Sequence, residues 1–282
     1  MFGKKSIRVV IQKVEGEFKE GVNTLEFKNL PIEAKIDSFG TLSMSSLRIY
    51  GISKEHVNAI TMMPNRGLTM SCNLELALYV DEGAGEFLLY TGSIRDACPH
   101  YTNAPDICID ILCCTGAFSN LRANVSSNIP EGEVPVPELY RIVCESFNVK
   151  FVNNAKGTGK ANNFRISASG FLARLKQIQE AYPEFTYKEI NNTIFLYDTG
   201  TEKVAYNFTK DDYIGYPTFN QTGISLNFDR LIVFSYADAF SITDSELDLL
   251  NQNWQITSCT YNISTKIGGV WEMNVNAIPL GE

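Results

Sequence analysis

The sequence predicts a mainly β protein that is interrupted by a small α+β unit. Over residues 1–115, apolar and polar side chains alternate with period two, which is typical of antiparallel strands with one buried and one solvated face. From about residue 134 to 200, apolar side chains recur at helical spacing between short β patterns. From about residue 203 the β pattern returns. We therefore expect three parts, at residues 1–127, 128–202 and 203–282.

The N-terminal part has the most regular strand pattern. "DEGAGEF" at Asp81–Phe87 predicts a hairpin loop between two of its strands. Six or more short strands at this spacing favour a closed or nearly closed barrel, because closure removes exposed strand edges. The alternating apolar positions are Ile7, Val9, Ile11; Ile32, Ala34, Ile36; Leu47, Ile49; Leu74, Leu76, Leu78, Val80; and Ile107, Ile109, Ile111, Cys113.

One strand of this part is followed by a single short helix, in "LRIYGISKEHVNAI" at Leu47–Ile60. Gly51 is expected to let the strand turn, and Ser53 is expected to cap the helix that follows. Val57 and Ile60 should then pack inward. The residues expected to face water or a neighbouring molecule are Lys54, Glu55 and Asn58.

The central part opens with a polar stretch at Asn128–Leu139 that contains three prolines and predicts a linker. Pro137 suits the first turn of a helix, and Ser169 is the expected cap of a second helix. A hairpin should turn at Asn191 and Asn192. The apolar faces of the two helices are expected at Leu139, Ile142, Val143 and Phe147, and at Leu172, Leu175, Ile178 and Tyr182.

The C-terminal part is predicted to be β again. We expect a strand at Asp229–Tyr236 and a hairpin formed by Trp254–Ile263 and Val270–Ile278, which turns at "STKIGG". Asp244, Glu246 and Asp248 lie in a polar stretch that joins two strands, and Asp211 and Asp212 precede another turn. Solvated loops explain both acidic groups better than a cation site or a glycosidase pair, since neither has the spacing of an EF-hand.

The composition argues against several classes of protein. Hydrophobic residues make up 44% and charged residues 20% of the 282, which is typical of a globular protein with a real core. The formal net charge is −8 with no basic block, so a phosphate-backbone binder is not indicated. The seven cysteines are expected to be free and mostly buried. With no signal-like or membrane-spanning apolar segment, synthesis in a cytoplasm is expected.

The remaining chemical motifs are weak. "NNAKGTGKANN" at Asn153–Asn163 lacks the first glycine and the final hydroxyl of a phosphate-binding loop, so a flexible hairpin loop is favoured. Cys98, His100, Cys108 and Cys113 could supply zinc ligands, but no Cys-x-x-Cys pair exists, and Cys108 and Cys113 should point to opposite strand faces.

Histidine supplies few candidates for catalysis. There are two histidines, His56 on the exposed side of the short helix and His100 in a loop after Cys98 and Pro99. A Cys98–His100 pair rarely has the geometry of a nucleophile and its base, and no nucleophile-elbow motif occurs. We therefore predict no catalytic residues, no cofactor and no metal.

The order of segments resembles the baseplate hub proteins of tailed phages, the family of the T-even hub and the late-control protein D. The resemblance rests most on "IGYPTFNQTGISLNF" at Ile214–Phe228 and on Leu47–Thr61. It extends over nearly the whole chain, through "NTLEFKNLPIEAKI", "FLLYTGSIRDACPHYTNAPDICIDILCCTG", "FRISASGFLARLKQIQEAYPEFTYKEINNTIFLYDTG" and "WQITSCTYNISTKIGGVWEMNVNA".

The resemblance implies two tail-tube-like β-barrel domains, each with a short flanking helix. Residues 1–127 would form the first, residues 128–202 the linker and the inserted α+β domain, and residues 203–282 the second, completed by strands from elsewhere such as Leu112–Ser127. It further implies a homotrimeric ring that adapts the sixfold tail tube above to the threefold central spike below, among other baseplate proteins. Genome DNA would pass through its channel without specific binding. The protein would be made in the host bacterial cytoplasm and reside in the virion, without membrane insertion.

Eight residues are the expected contacts with neighbouring subunits or partners. They come from the strand–helix step and from the segment that resembles the family most. Two alternatives stay open: a tail-associated protein that binds or degrades peptidoglycan through residues 134–200, and a β-barrel carrier of a small ligand with an unfilled apolar interior. The expected contact residues are Arg48, Tyr50, Lys54, His56, Tyr216, Phe219, Asn220 and Thr222.

Overall fold

A computed structural model describes residues 5–38, 43–61, 74–101, 107–115 and 127–281. The mainly β fold with an α+β insert is confirmed. The N-terminal part contains strands β1 (Ser6–Lys13), β2 (Thr24–Lys28), β3 (Ile32–Ser38), β4 (Met44–Tyr50), β5 (Leu74–Asp81), β6 (Glu86–His100) and β7 (Cys108–Cys114), with helix α1 (Lys54–Ile60) between β4 and β5.

The insert follows the N-terminal strands and contains both longer helices. Its elements are β8 (Glu133–Pro135), α2 (Val136–Ser146), β9 (Lys150–Asn153), β10 (Lys160–Asn162), α3 (Phe171–Ala181), β11 (Phe185–Ile190) and β12 (Thr193–Asp198). The C-terminal part contains β13 (Lys203–Phe208), β14 (Thr218–Phe219), β15 (Ile224–Phe228), β16 (Asp238–Ile242), one turn of 3-10 helix (Asp248–Leu250), β17 (Asn253–Ser264) and β18 (Trp271–Pro279).

One sheet of 13 strands joins the N-terminal and C-terminal parts. Its order is β14-β15-β18-β17-β3-β4-β7-β6-β5-β1-β2, with β16 paired to β17 and β13 paired to β16. The two parts meet where β17 runs antiparallel to β3, with Thr260 opposite Asp37 and Asn262 opposite Lys35. The division of this β structure into two barrels remains a prediction.

The period-two pattern correctly predicted which face of each of these strands is buried. Ile7, Val9 and Ile11 are buried on β1, and the predicted apolar positions of β3, β4 and β5 are buried as well. On β7 the register is unbroken, so Cys108 and Cys113 lie on opposite faces as predicted, and both are buried. The main core is a single cluster that includes residues of both β parts, from Ile7 to Ala277. The six cysteines of the described residues are free, and Cys72 lies outside them.

The insert has its own core between its helices and a three-stranded sheet. The sheet order is β11-β12-β9, with β9 parallel to β12, and β8 pairs separately with β10. The turn at Asn191 and Asn192 is confirmed, since both have positive φ and Ile190 lies opposite Thr193. The predicted linker instead contains β8 and the start of α2, and the segment after β9 does not form a β9–β10 hairpin.

A predicted helix cap and a predicted strand are also wrong. Ser169 does not cap α3, because Gly170 takes the cap position with φ +86° and the Gln177 carboxamide accepts from the amides of Ser167 and Ala168. Asp229–Tyr236 is not a strand. There the carbonyl of Ile232 accepts from the hydroxyl of Tyr261 at 2.9 Å rather than from a neighbouring strand. In the described chain, no helix is long and apolar enough to cross a membrane.

Candidate functional site

The outward face of the central strands forms a cleft of about 670 Å³. Its floor consists of alternate residues of β17, β3, β4, β7 and β6, and its wall is the turn between β17 and β18. The pairing aligns these side chains in two rows across the sheet, because residues directly opposite each other share a face. One row is Ser264, Glu33, Arg48, Asp110 and Cys98, and the other is Asn262, Lys35, Ser46, Leu112 and Asp96.

Arg48 lies in the first row and makes a bidentate ion pair. Its Nε donates to Oδ1 of Asp110 at 2.6 Å, and one terminal nitrogen donates to Oδ2 at 2.7 Å. His100 lies on the same face, with Nε2 3.0 Å from Oδ2 of Asp110. The hydrogen bond from Arg48 is the main cause that lowers the pKa of Asp110, and the same bond raises the pKa of Arg48. The sequence predicts that His100 lies in a loop, but His100 is the last residue of β6.

Tyr50 lies at the end of β4, beside the cleft. Its hydroxyl donates to Oε2 of Glu33 at 2.7 Å, and the ammonium of Lys266 lies 4.1 Å from the centroid of its ring. Lys266 Nζ is also 3.9 Å from Oε1 of Glu33. The turn between β17 and β18 is therefore held against β3 and β4 by an ion pair and a cation–π contact.

Helix α1 follows directly and is arranged as the sequence predicted. Gly51 has φ +70°, the Ser53 hydroxyl accepts from the amide of His56 at 3.2 Å, and Val57 and Ile60 are buried. Lys54 is exposed. His56 is only half-exposed, since its ring packs edge-on against Phe27 with centroids 5.5 Å apart.

The second predicted contact segment is the edge of the sheet at Ile214–Thr222, which we name the β14 edge. Tyr216 is 77% and Phe219 48% exposed. Asn220 shapes the hairpin between β14 and β15: its Oδ1 accepts from the amides of Thr222 and Gly223. Four strands separate β14 from β4, so the β14 edge and Arg48 lie about 24 Å apart along the sheet.

The sequence did not predict two features of the outward face of the sheet. Ile267 and Val270 project from the β17–β18 turn beside the cleft, 107% and 53% exposed. An apolar residue within a glycine-containing turn was the available signal. On β15, β18 and β17, small polar side chains bond to one another: the Asn274 carboxamide donates to Ser225 and Asn227 at 2.8 Å, and that of Asn276 donates to Ser258 at 3.0 Å.

The segments considered as a phosphate loop, a zinc site and an acidic pair make contacts that belong to ordinary turns and strands. Backbone amides of Lys156 and Gly157 in the supposed phosphate loop donate to the carboxylate of Asp198 at 2.7 and 3.0 Å. Among the residues described, no hydrogen bond joins the Cys98 thiol to His100, and no three or more His, Cys, Asp or Glu side chains cluster as a metal site would require. Asp212 instead caps its turn by accepting from the amide of Thr209 at 2.9 Å.

Solved structures share this fold over nearly the whole chain. A prophage MuSo2 tail protein from Shewanella oneidensis matches with a TM-score of 0.63 and 10% identity, over 96% of this chain and 98% of its own. A tail protein from Neisseria meningitidis matches with a TM-score of 0.63 and 8% identity, over 96% of each chain.

A component of the E. coli type VI secretion system, described as structurally similar to the T4 bacteriophage tail proteins gp27 and gp5, also matches. The TM-score is 0.56 and the identity 12%, over 90% of this chain and 74% of its own. No family model and no curated protein matches the sequence. The chain therefore has the fold of phage tail proteins.

Proposed function

Since this chain has a phage tail protein fold from end to end, we propose that it is the structural hub of a phage tail baseplate. Three copies form a ring that adapts the sixfold tail tube above to the threefold spike below, in contact with other baseplate proteins. The observation that carries the proposal is the reciprocal coverage: 96% of this chain aligns with 98% of the MuSo2 tail protein, so the whole architecture is shared rather than one module.

The arrangement of the candidate contacts supports a ring. The cleft and the β14 edge are different surfaces of one subunit, about 24 Å apart along the sheet. When one surface of a copy binds a different surface of the next, the contact is heterologous and repeats until the ring closes. We place Arg48, Tyr50, Lys54 and His56 on one side of this contact. Tyr216, Phe219, Asn220 and Thr222 lie on the other.

The negative net charge of the chain is consistent with DNA passing through the ring channel without binding to its wall. The formal net charge of the chain is −8. On the outward face of β15, β18 and β17, amide and hydroxyl side chains bond to one another. A wall of this kind offers phosphate groups few free cations, so DNA can move along it without binding strongly. In this proposal the protein has a structural, non-enzymatic role in the virion, after synthesis in the host cytoplasm.

Oligomeric state tests the proposal. Purified full-length protein is examined by light scattering and by imaging of single particles, alone and with spike and tube proteins from the same virus. We expect a trimeric ring, formed either alone or once a partner is present. A monomer without ring particles under every partner condition would overturn the proposal. Loss of bacterial cell-wall integrity on addition of the full chain would instead favour the peptidoglycan-active alternative.

A further inference from the structure

The β11–β12 hairpin of the insert contacts both β parts of the chain. One face of the hairpin belongs to the insert core, through Phe185, Ile194 and Leu196. Its opposite face and its tip meet the β parts. The ring of Phe195 stacks on Tyr236 with centroids 5.2 Å apart and planes at 4°. The hairpin therefore packs against the loop before β16 through an aromatic pair.

Three contacts near the hairpin tip complete the docking. The amide of Thr91 on β6 donates to Oδ1 of Asn191 at 3.1 Å. The ammonium of Lys188 donates to the carbonyl of Ile256 on β17 at 3.2 Å. Ile190 packs against the main core. The tip thus bonds both to β6 in the N-terminal part and to β17 in the C-terminal part.

Glu189 lies near the hairpin tip, on the face that carries the insert core and directly opposite Ile194. Its side chain is 2% exposed, and neither carboxyl oxygen has a hydrogen-bond partner among the residues described. The nearby hydroxyl of Thr115 is already bonded to Ser43, from whose amide it accepts and to whose carbonyl it donates. Tyr90 and Ser45 carry further buried hydroxyl oxygens without partners. A buried carboxylate in such surroundings is costly, whereas a neutral carboxyl is tolerated.

We propose that the protonation state of Glu189 controls how firmly the insert is held against the main sheet. With a neutral carboxyl, the junction buries no carboxylate charge at Glu189 and the hairpin stays docked. An ionised carboxyl favours withdrawal of the hairpin tip, because withdrawal returns the charge to water. The insert then becomes free to change its position relative to the sheet while its own core stays intact.

Among the described residues, the groups nearest Glu189 are Tyr90 of β6, Tyr187 of its own strand, Cys144 of α2 and Thr115 after β7, and none of them is a cation. The Thr115 hydroxyl lowers the pKa of Glu189, but burial has the larger effect. Lys188 points to the other face of β11, where Cys259, Glu202 and Asp238 surround it. Burial raises the pKa of Glu189 from 4.5 to about 7. Docking strength is therefore complete below pH 4.5, is lost progressively as the pH rises towards 7, and is constant above that.

Amide hydrogen exchange of the full chain tests this inference. The probe is the amide of Thr91, whose hydrogen bond to Asn191 crosses the junction, measured from pH 5 to 8 and corrected for intrinsic exchange chemistry. We expect protection of this amide to fall about thirtyfold between pH 5 and 7 and to level off above pH 7. The Glu189→Gln variant, which mimics the neutral carboxyl, is expected to keep high protection throughout.

Two further variants separate docking from folding. Glu184→Gln makes the same chemical change at an exposed position five residues away and should keep the wild-type profile. Asn191→Gly removes the acceptor for Thr91 at a position with φ +50° and should leave that amide weakly protected at every pH. A flat wild-type profile would overturn the proposal, and so would a Glu189→Gln profile that follows the wild type. The exchange measurement does not depend on ring assembly, so it tests this inference even if the protein does not form a ring.

Discussion

Arg48 and Asp110 lie directly opposite each other on β4 and β7, and their guanidinium and carboxylate groups meet through two hydrogen bonds of 2.6 and 2.7 Å. Bidentate geometry fixes both side chains flat on the outward face of the sheet. The pair is nevertheless accessible, with side-chain exposures of 45% and 33%. It therefore orders the surface of the cleft more than it stabilises the fold.

Replacing Arg48 by Ala should affect assembly more than stability. An exposed ion pair contributes at most about 1 kcal/mol, so urea unfolding of Arg48→Ala should shift by no more than that. Ring formation should decline, because a contact surface loses its fixed geometry. Size-exclusion chromatography with light scattering measures the second effect. Arg141→Ala, which breaks an exposed ion-pair group on α2 of the insert, is the matched control and should assemble normally.

The same pair predicts an acid-dependent effect. Arg48 holds the pKa of Asp110 below its ordinary value of 3.8, so the pair stabilises the folded state above about pH 4 and loses this effect as the pH falls through the lower folded value. The unfolding free energies of wild type and Arg48→Ala should therefore differ most above about pH 4 and converge as the pH falls below the folded pKa of Asp110. A difference that stays constant over this range would contradict the assignment.

Mixing two assembly variants should distinguish heterologous from isologous contact. Tyr216→Ser alters only the β14 edge, and Arg48→Ala alters only the cleft. If the cleft of one copy binds the β14 edge of the next, a mixture retains one intact pair of surfaces and should give heterodimers but no closed ring. Native mass spectrometry of differently tagged variants counts these species. Recovery of full rings, or absence of any heterodimer, would contradict the arrangement.

Helix α1 offers a test of its packing. Val57 is 1% exposed, and Asp at this position would bury an unpaired carboxylate at a cost of more than about 3 kcal/mol. Val57→Asp should therefore unfold at much lower temperature or fail to fold, as judged by circular dichroism. Asn58→Asp adds the same charge one residue away on the exposed side and should be nearly neutral.

Gly223 lies where β15 approaches β18 too closely for any side chain. A Cβ atom there would be 1.9 Å from the carbonyl oxygen of Ala277, so the strands would have to separate. Gly223→Ala should cost at least about 2 kcal/mol in the free energy of unfolding, measured by chemical denaturation. Gly281→Ala, where a Cβ would meet nothing within 4 Å, is the control, and an equal effect of both changes would refute the steric explanation.

Local patterns predicted much of this fold. Alternation gave the buried faces of β1, β3, β4 and β5, and cap chemistry gave the start of α1 at Ser53. Period two is a property of the strand itself, so it can be recognised without knowledge of neighbours. The prediction of a strand at Asp229–Tyr236 is wrong because a loop buries its apolar residues. Leu231 and Phe234 belong to the main core, although the segment forms no strand.

The candidate site was less predictable, because it depends on register. Arg48 could be placed on an outward face, but nothing in the sequence indicates that Asp110 lies opposite it or that Ser264 joins the same row. The same holds for Glu189, whose strand pattern fits an ordinary hairpin. Glu189 is buried near Tyr90 of β6 and Thr115, which only the assembled fold brings together with it.

The pairing of β17 with β3 also determines when the sheet can form. The amide of Ile32 donates to the Thr265 hydroxyl, and the two residues are 233 apart along the chain. At about 5–20 residues per second, the ribosome delivers β17 roughly ten to fifty seconds after β3. Throughout that interval one edge of β3 has no partner strand, and unpaired edges promote aggregation. The nascent chain therefore depends on protection of β3 during synthesis, and slow translation of residues 40–250 should lower the yield of soluble protein.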